Sequence, residues 1–305
     1  NKKGQLIDKL KKQIIDLIIS EQYDEEEISV IVSLAKKYAD EGINKLLGEL
    51  FFYIGNEQAL SLEECDVSNK ESLLNKTVES YNKSVAYMPY SSPAFYNCAV
   101  SLSELADLKA GQEAEVLHQQ AIEKYCQTIN LDPNNGEAFN NLGSTFIALA
   151  AQKEGIDAET LYQQGFEKYR QAIDISPDNA SIFNNWGLSL LKLADLKTGV
   201  EAEDLYKQAI EKHQQASKLN PNADNTLSNW GLAVSKLADL KTGMEAEDLY
   251  KQAIEKFQQA SKLDPNDANI WNNWGLAVSE LANLKTGMEA EDLYKQAIEK
   301  HQQAS

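Results

Sequence analysis

Apolar residues recur along this chain at helical spacing, and the helical stretches themselves recur every 44 residues. In the copy spanning 224–267, Leu227, Trp230, Val234 and Leu237 fall on one stripe of a helix read as about residues 225–240. A second stripe, Leu249, Ala253, Phe257 and Ala260, predicts a helix over about 246–263, ended by Asp264-Pro265-Asn266. The phrase Asn-Trp-Gly-Leu stands at 185–188, 229–232 and 273–276, and weaker versions at 141 and 97 extend the series back to Phe52-Tyr53-Ile54-Gly55. Six copies of one two-helix unit therefore account for residues 43–305, with the last one cut short at Ser305. Ahead of them, Leu6, Ile7, Leu10, Ile14, Ile15, Leu17 and Ile18 predict a helix over 5–20. Ile28, Ile31, Val32, Leu34, Ala35 and Tyr38 predict another over 25–40. Residues 1–42 read as a helical hairpin that is either a degenerate repeat or a cap over the first repeat.

Small and rigid residues punctuate the period. Pro89, Pro133, Pro177, Pro221 and Pro265 close successive units. Gly111, Gly155, Gly199, Gly243 and Gly287 sit between the two helices of each unit, mostly followed by an apolar residue such as Ile156, Val200, Met244 or Met288. That pairing predicts a Schellman stop, with the glycine left-handed and the apolar residue folded back on the first helix. The competing expectation is a capping box, Thr242-x-x-Glu245, opening the second helix. A small residue on each helix, Gly231 and Ala253 in the copy above, predicts close approach of the two axes.

At this point Leu227, Trp230-Gly231, Ala253, Phe257, Ala260 and Pro265 resemble the tetratricopeptide repeat, over about residues 48–305. The resemblance implies an all-α, right-handed solenoid of antiparallel helix hairpins, non-enzymatic, working by protein–protein interaction. The unit departs from the family in length: ten extra residues fall between Val234 and Ala253, so both helices are expected to be longer than the family's 34-residue repeat has them.

The family fold places the first helix of each pair on the wall of a groove. On that helix Asn97, Asn141, Asn185, Asn229 and Asn273 occupy one slot in five consecutive copies. A primary amide sets a donor beside an acceptor and can pair with both the N–H and the C=O of an extended peptide. Such a row resembles the asparagine ladder of peptide-binding tetratricopeptide proteins, with Leu188, Leu232 and Leu276 beside it as apolar contacts. The alternative is that each asparagine bonds a neighbouring helix, or is carried along by recent duplication. Residues 228–260 and 272–304 differ at only four positions, which also suits a spacer or self-associating superhelix. A third reading is the regulatory part of an enzyme whose catalytic part lies elsewhere.

Composition narrows the partners. A net charge of −18 speaks against nucleic acid and anionic membrane surfaces. No apolar run is long enough to span a membrane. Cys65, Cys98 and Cys126 have neither disulfide nor zinc spacing, which mildly favours a reducing, cytoplasmic setting. The slots beside the asparagines hold Ser181, Asn184, Asn225, Ser228, Asn269 and Asn272, none basic, so a clamp for a chaperone carboxylate tail is not expected. His213 and His301 fill an aromatic packing slot rather than a metal site, the tryptophans read as core, and no nucleophile–base pair or phosphate loop is present. No cofactor or metal is implied. The absent first Met and the missing last proline suggest a fragment. An end of this kind would expose Leu293, Ala297 and Ile298 and give weak self-association through residues 289–305.

Overall fold

The computed structural model describes residues 2–21, 23–38 and 40–304. Position 39, inside the expected second helix, and the terminal Asn1 and Ser305 lie outside the described residues. The described residues form fourteen α-helices and no strand. They are α1 (Lys2–Ser20), α2 (Glu25–Tyr38), α3 (Glu41–Leu60), α4 (Val67–Tyr87), α5 (Ser92–Asp107), α6 (Gly111–Leu131) and α7 (Gly136–Ala150). The chain continues through α8 (Gly155–Ile175), α9 (Ala180–Ala194), α10 (Gly199–Leu219), α11 (Asp224–Asp239), α12 (Gly243–Leu263), α13 (Ala268–Asn283) and α14 (Gly287–Gln303). Even-numbered helices from α4 and odd-numbered helices from α5 each begin every 44 residues. The fold is an all-α solenoid of helix hairpins, in two compact units, Asn1–Gly165 and Phe166–Ser305.

Within each unit a hairpin packs internally, α5 on α6 or α11 on α12, and its second helix packs on the next first helix, α6 on α7 or α12 on α13. First helices also touch one another, α5 with α7, α9 with α11 and α11 with α13, whereas α4 and α6, or α10 and α12, do not approach as extensively. The first helices thus line one shared wall of each unit. Axes come close where a hairpin sets a glycine opposite a ring: a Cβ built on Gly231 would lie 2.9 Å from Phe257, and one on Gly187 2.7 Å from His213. Ala253, Phe257 and Ala260 are fully buried at the same seam.

Helix ends follow local chemistry. Asp264, which precedes Pro265, is extended (φ −126°, ψ 96°) because the proline ring excludes the helical region from its predecessor. Its carboxylate then accepts the amide of Asn266 at 2.9 Å, closing the turn. Asn135, Asn179 and Asp267 cap the first helices α7, α9 and α13 with their side chains.

The glycine at the hairpin turn is not the helix stop that its neighbours in sequence imply. Gly111, Gly155, Gly199 and Gly243 do have φ +60°, and Gly287 +64°. Each is nevertheless the first residue of the second helix, four or five residues beyond the last residue of the first helix, which ends on tight turn bonds such as Lys241 N–H to the Ala238 carbonyl. The apolar residues expected to fold back point to solvent: Met244 is 80% exposed and Val200 76%. Nor does Thr242 make a side-chain cap. Glu245 pairs instead with Lys241 at 3.2 Å, and Lys241 also reaches Glu203 on the preceding second helix at 2.8 Å. The ion pairs link the turn to the second helices on either side of it.

At the N-terminus α1 packs chiefly on α3, and Leu10, Ile14, Ile31, Ile43, Leu47 and Leu50 share one buried core. At the other end Ala297 is buried and Leu293 half-buried in the α13–α14 hairpin, so of the three residues expected to face solvent only Ile298 is largely exposed. Ala297 turns inward because it packs in the same cluster as Trp274 and Ala277 of its own hairpin.

Candidate functional site: the asparagine-bearing face

All five slot asparagines are half-buried on first helices: Asn97 on α5, Asn141 on α7, Asn185 on α9, Asn229 on α11 and Asn273 on α13. Leu188 and Leu232 are half-buried beside them and Leu276 is half exposed. In the first unit Asn97 and Asn141 line one cleft of about 810 Å³ with Asn56, Tyr81, Tyr96 and Val100. In the second, Asn273, Leu232 and Leu276 line a cleft of about 390 Å³ with Lys236, Tyr250 and Glu280.

The amides are largely engaged between helices. Asn97 donates to Asn56 Oδ1 at 3.0 Å, and Tyr81 donates to the same oxygen at 2.9 Å. Asn141 donates to the Tyr96 hydroxyl at 3.0 Å and accepts from Asn140 at 3.0 Å. Asn229 donates to Asn184 Oδ1 at 3.2 Å. For Asn141 and Asn229 the rule is that the slot asparagine reaches the residue just before the slot in the preceding repeat. Comparing that column, Tyr96, Asn140, Asn184, Ser228 and Asn272, would have found these partners. It also accounts for Asn273, which makes no side-chain hydrogen bond among the described residues: its partner position holds the short, buried Ser228. Asn273 therefore keeps both donor and acceptor.

Electrostatics on this face are set by burial. Removal from water pushes the Tyr81 and Tyr96 hydroxyls up to about 12, with Glu137 adding to the shift at Tyr96. Both remain neutral donors at neutral pH. Trp186, Trp230 and Trp274 stand behind the wall with a lysine over each ring, Lys212 at 4.3 Å, Lys256 at 4.1 Å and Lys300 at 4.1 Å. Trp274 is buried, and Trp186 and Trp230 are half-buried. His213 is fully buried, and His301 contacts Asn272. Among the described residues no three His, Cys, Asp or Glu side chains are placed to hold a metal ion. No described helix is long and apolar enough to cross a membrane.

No curated protein matches this chain. Residues 249–281 match a family model described as a TPR repeat. The fold is similar to that of PilF from Pseudomonas aeruginosa, at 16% identity, covering 83% of this chain and 90% of that one with a TM-score of 0.52. It is also similar to a TPR protein of Thermus thermophilus, at 15% identity, covering 76% and 98% with a TM-score of 0.50. The chain thus carries a tetratricopeptide repeat, matched over residues 249–281, within an all-α repeat fold that it shares with a known tetratricopeptide protein.

Proposed function

We propose that this chain is a non-enzymatic protein-interaction scaffold, built from a 44-residue variant of the tetratricopeptide unit, that holds an extended peptide along the wall of first helices. Asn97, Asn141, Asn185, Asn229, Asn273, Leu188, Leu232 and Leu276 are its contact row. The observation that supports this reading is the second-unit cleft, where Asn273 offers an unused amide between Leu232 and Leu276. The hydrogen bonds of Asn97, Asn141 and Asn229 to neighbouring helices favour a second reading, in which those asparagines are struts of a structural spacer.

The two readings separate experimentally. Random peptides displayed on phage are selected on the immobilised chain, and the best binder is titrated against Asn273→Ala and Asn229→Ala. Under the peptide reading Asn273→Ala weakens binding by roughly tenfold, the worth of two neutral hydrogen bonds, at an unchanged melting temperature. Failure to select any peptide, with a lowered melting temperature in Asn229→Ala, supports the spacer.

A further inference from the structure

Each of the last three repeats places an aspartate or its equivalent at the C-terminal end of the first helix, and these copies show what that residue ordinarily binds. Tyr206 donates to Asp195 at 2.7 Å, Tyr250 to Asp239 at 2.6 Å and Tyr294 to the Asn283 oxygen at 2.6 Å. Asp195 has a cation besides, Lys236 of the following repeat at 3.6 Å.

The matching residue on α5 is Asp107, and both of its partners have been replaced. The tyrosine slot holds His118 and the lysine slot holds Ala148. Asp107 makes no hydrogen bond or ion pair among the described residues. In the space between α5, α6 and α7 lies a cavity of about 210 Å³ lined by Glu104, Asp107, His118, Asn141, Ser144 and Ala148, among others, with no basic side chain but the neutral imidazole. His118 is 3% exposed, and its Nδ1 has no partner. Burial holds the ring below the usual histidine range despite the nearby Asp107. Glu104 stands where α9 and α11 carry Lys192 and Lys236, and it also lines the larger cleft, which holds Lys70 as its one lysine. The site thus gathers two carboxylates and a buried imidazole nitrogen without a cation to match them.

We infer that this cavity seats one lysine or arginine side chain of a bound peptide, which supplies to Asp107 the cation that Lys236 supplies to Asp195. The cavity is about a quarter the size of the asparagine cleft, 210 Å³ against 810 Å³, and it adjoins that cleft through Val100, Glu104 and Asn141. The backbone can therefore lie along the wall while the basic side chain enters between α5 and α7. This specificity rests on the peptide-binding reading above.

The test selects phage-displayed random peptides on the full chain, on Asp107→Asn and on Ala148→Lys, each checked by thermal melting. Peptides from the wild type are expected to carry lysine or arginine at one fixed position, with binding roughly tenfold weaker when that residue becomes alanine, the worth of one charge-assisted hydrogen bond. Asp107→Asn and Ala148→Lys are expected to select peptides without that preference. Asp107 is exposed, so Asp107→Asn decides the matter should Ala148→Lys not fold. Wild-type peptides lacking the basic position, or a preference that survives Asp107→Asn, overturn the inference while peptide binding stands. No selected peptide at all overturns both.

Discussion

At the scale of single residues, His213 is where this chain gives up stability. It occupies the slot of Phe257 and Tyr169, packs against Gly187, and leaves both ring nitrogens without a hydrogen bond. Burial depresses its pKa to about 3. Between the ordinary histidine value, about 6.5, and that point the unfolded chain holds a proton that the folded chain does not. Stability is therefore full above the unfolded value and is lost as pH falls through the interval. His213→Phe, which reproduces the Phe257–Gly231 contact, is expected to raise stability at pH 7 by about 1–3 kcal/mol, the cost of a buried unsatisfied polar group. It should also flatten the fall in melting temperature as the pH drops from the ordinary histidine range toward the folded value; a fall as steep as in the wild type would place the acid sensitivity elsewhere. Gly243 is the complementary case. A Cβ there meets nothing, so the whole cost of Gly243→Ala is its φ of +60°. That cost is expected at about 1–2 kcal/mol by urea melting; a neutral substitution would mean that the turn can relax.

At the scale of the element, the first helices are amphipathic in an unusual sense. One side packs into the hairpin, and the flank carries amides that stitch α5, α7 and α11 to the preceding first helix. Asn229→Ala removes the bond to Asn184 but gains helix propensity, so a net loss of about 0.5–1 kcal/mol is expected. Asn273→Ala loses no internal bond and should be neutral or slightly stabilising. Equal losses at both sites would contradict the strut geometry. The flank is legible in the sequence only as a column of asparagines. Whether each amide is spent depends on the residue 41 or 45 positions earlier and on how near two helices lie, which is a tertiary matter.

At the scale of the molecule, each hairpin depends on the next. Trp274 shares a cluster with Val234 of α11 and Phe257 of α12 as well as Ala297 of its own hairpin. Trp274→Ala is expected to cost about 3–5 kcal/mol and to lower the denaturant slope, because repeats coupled only to neighbours unfold piecemeal once one interface is weak. An unchanged midpoint would contradict the core assignment. Electrostatic ties run parallel to these contacts: Lys241 and Lys285 each join the preceding second helix to the one they introduce, and Glu203 is held down to about 2 by Lys207 and Lys241.

The sequence by itself determined what depends on residues close along the chain. Apolar stripes at helical spacing placed the helices to within three residues, prolines placed the repeat ends by restricting their predecessors, and the 44-residue recurrence required stacking because no single hairpin can bury its own apolar face. It even marked the left-handed glycines, though not that they open the second helix. Only the tertiary structure decided which polar groups are free. Asn229 and Asn273 occupy the same slot in nearly identical repeats, yet one amide is bonded and the other is not. Asp107 and Asp195 likewise share a slot, and packing alone shows that the residues 11 and 41 positions further on are the ones beside it. A hydrogen bond requires its partner within about 3 Å, and in a solenoid that partner belongs to another helix or another repeat.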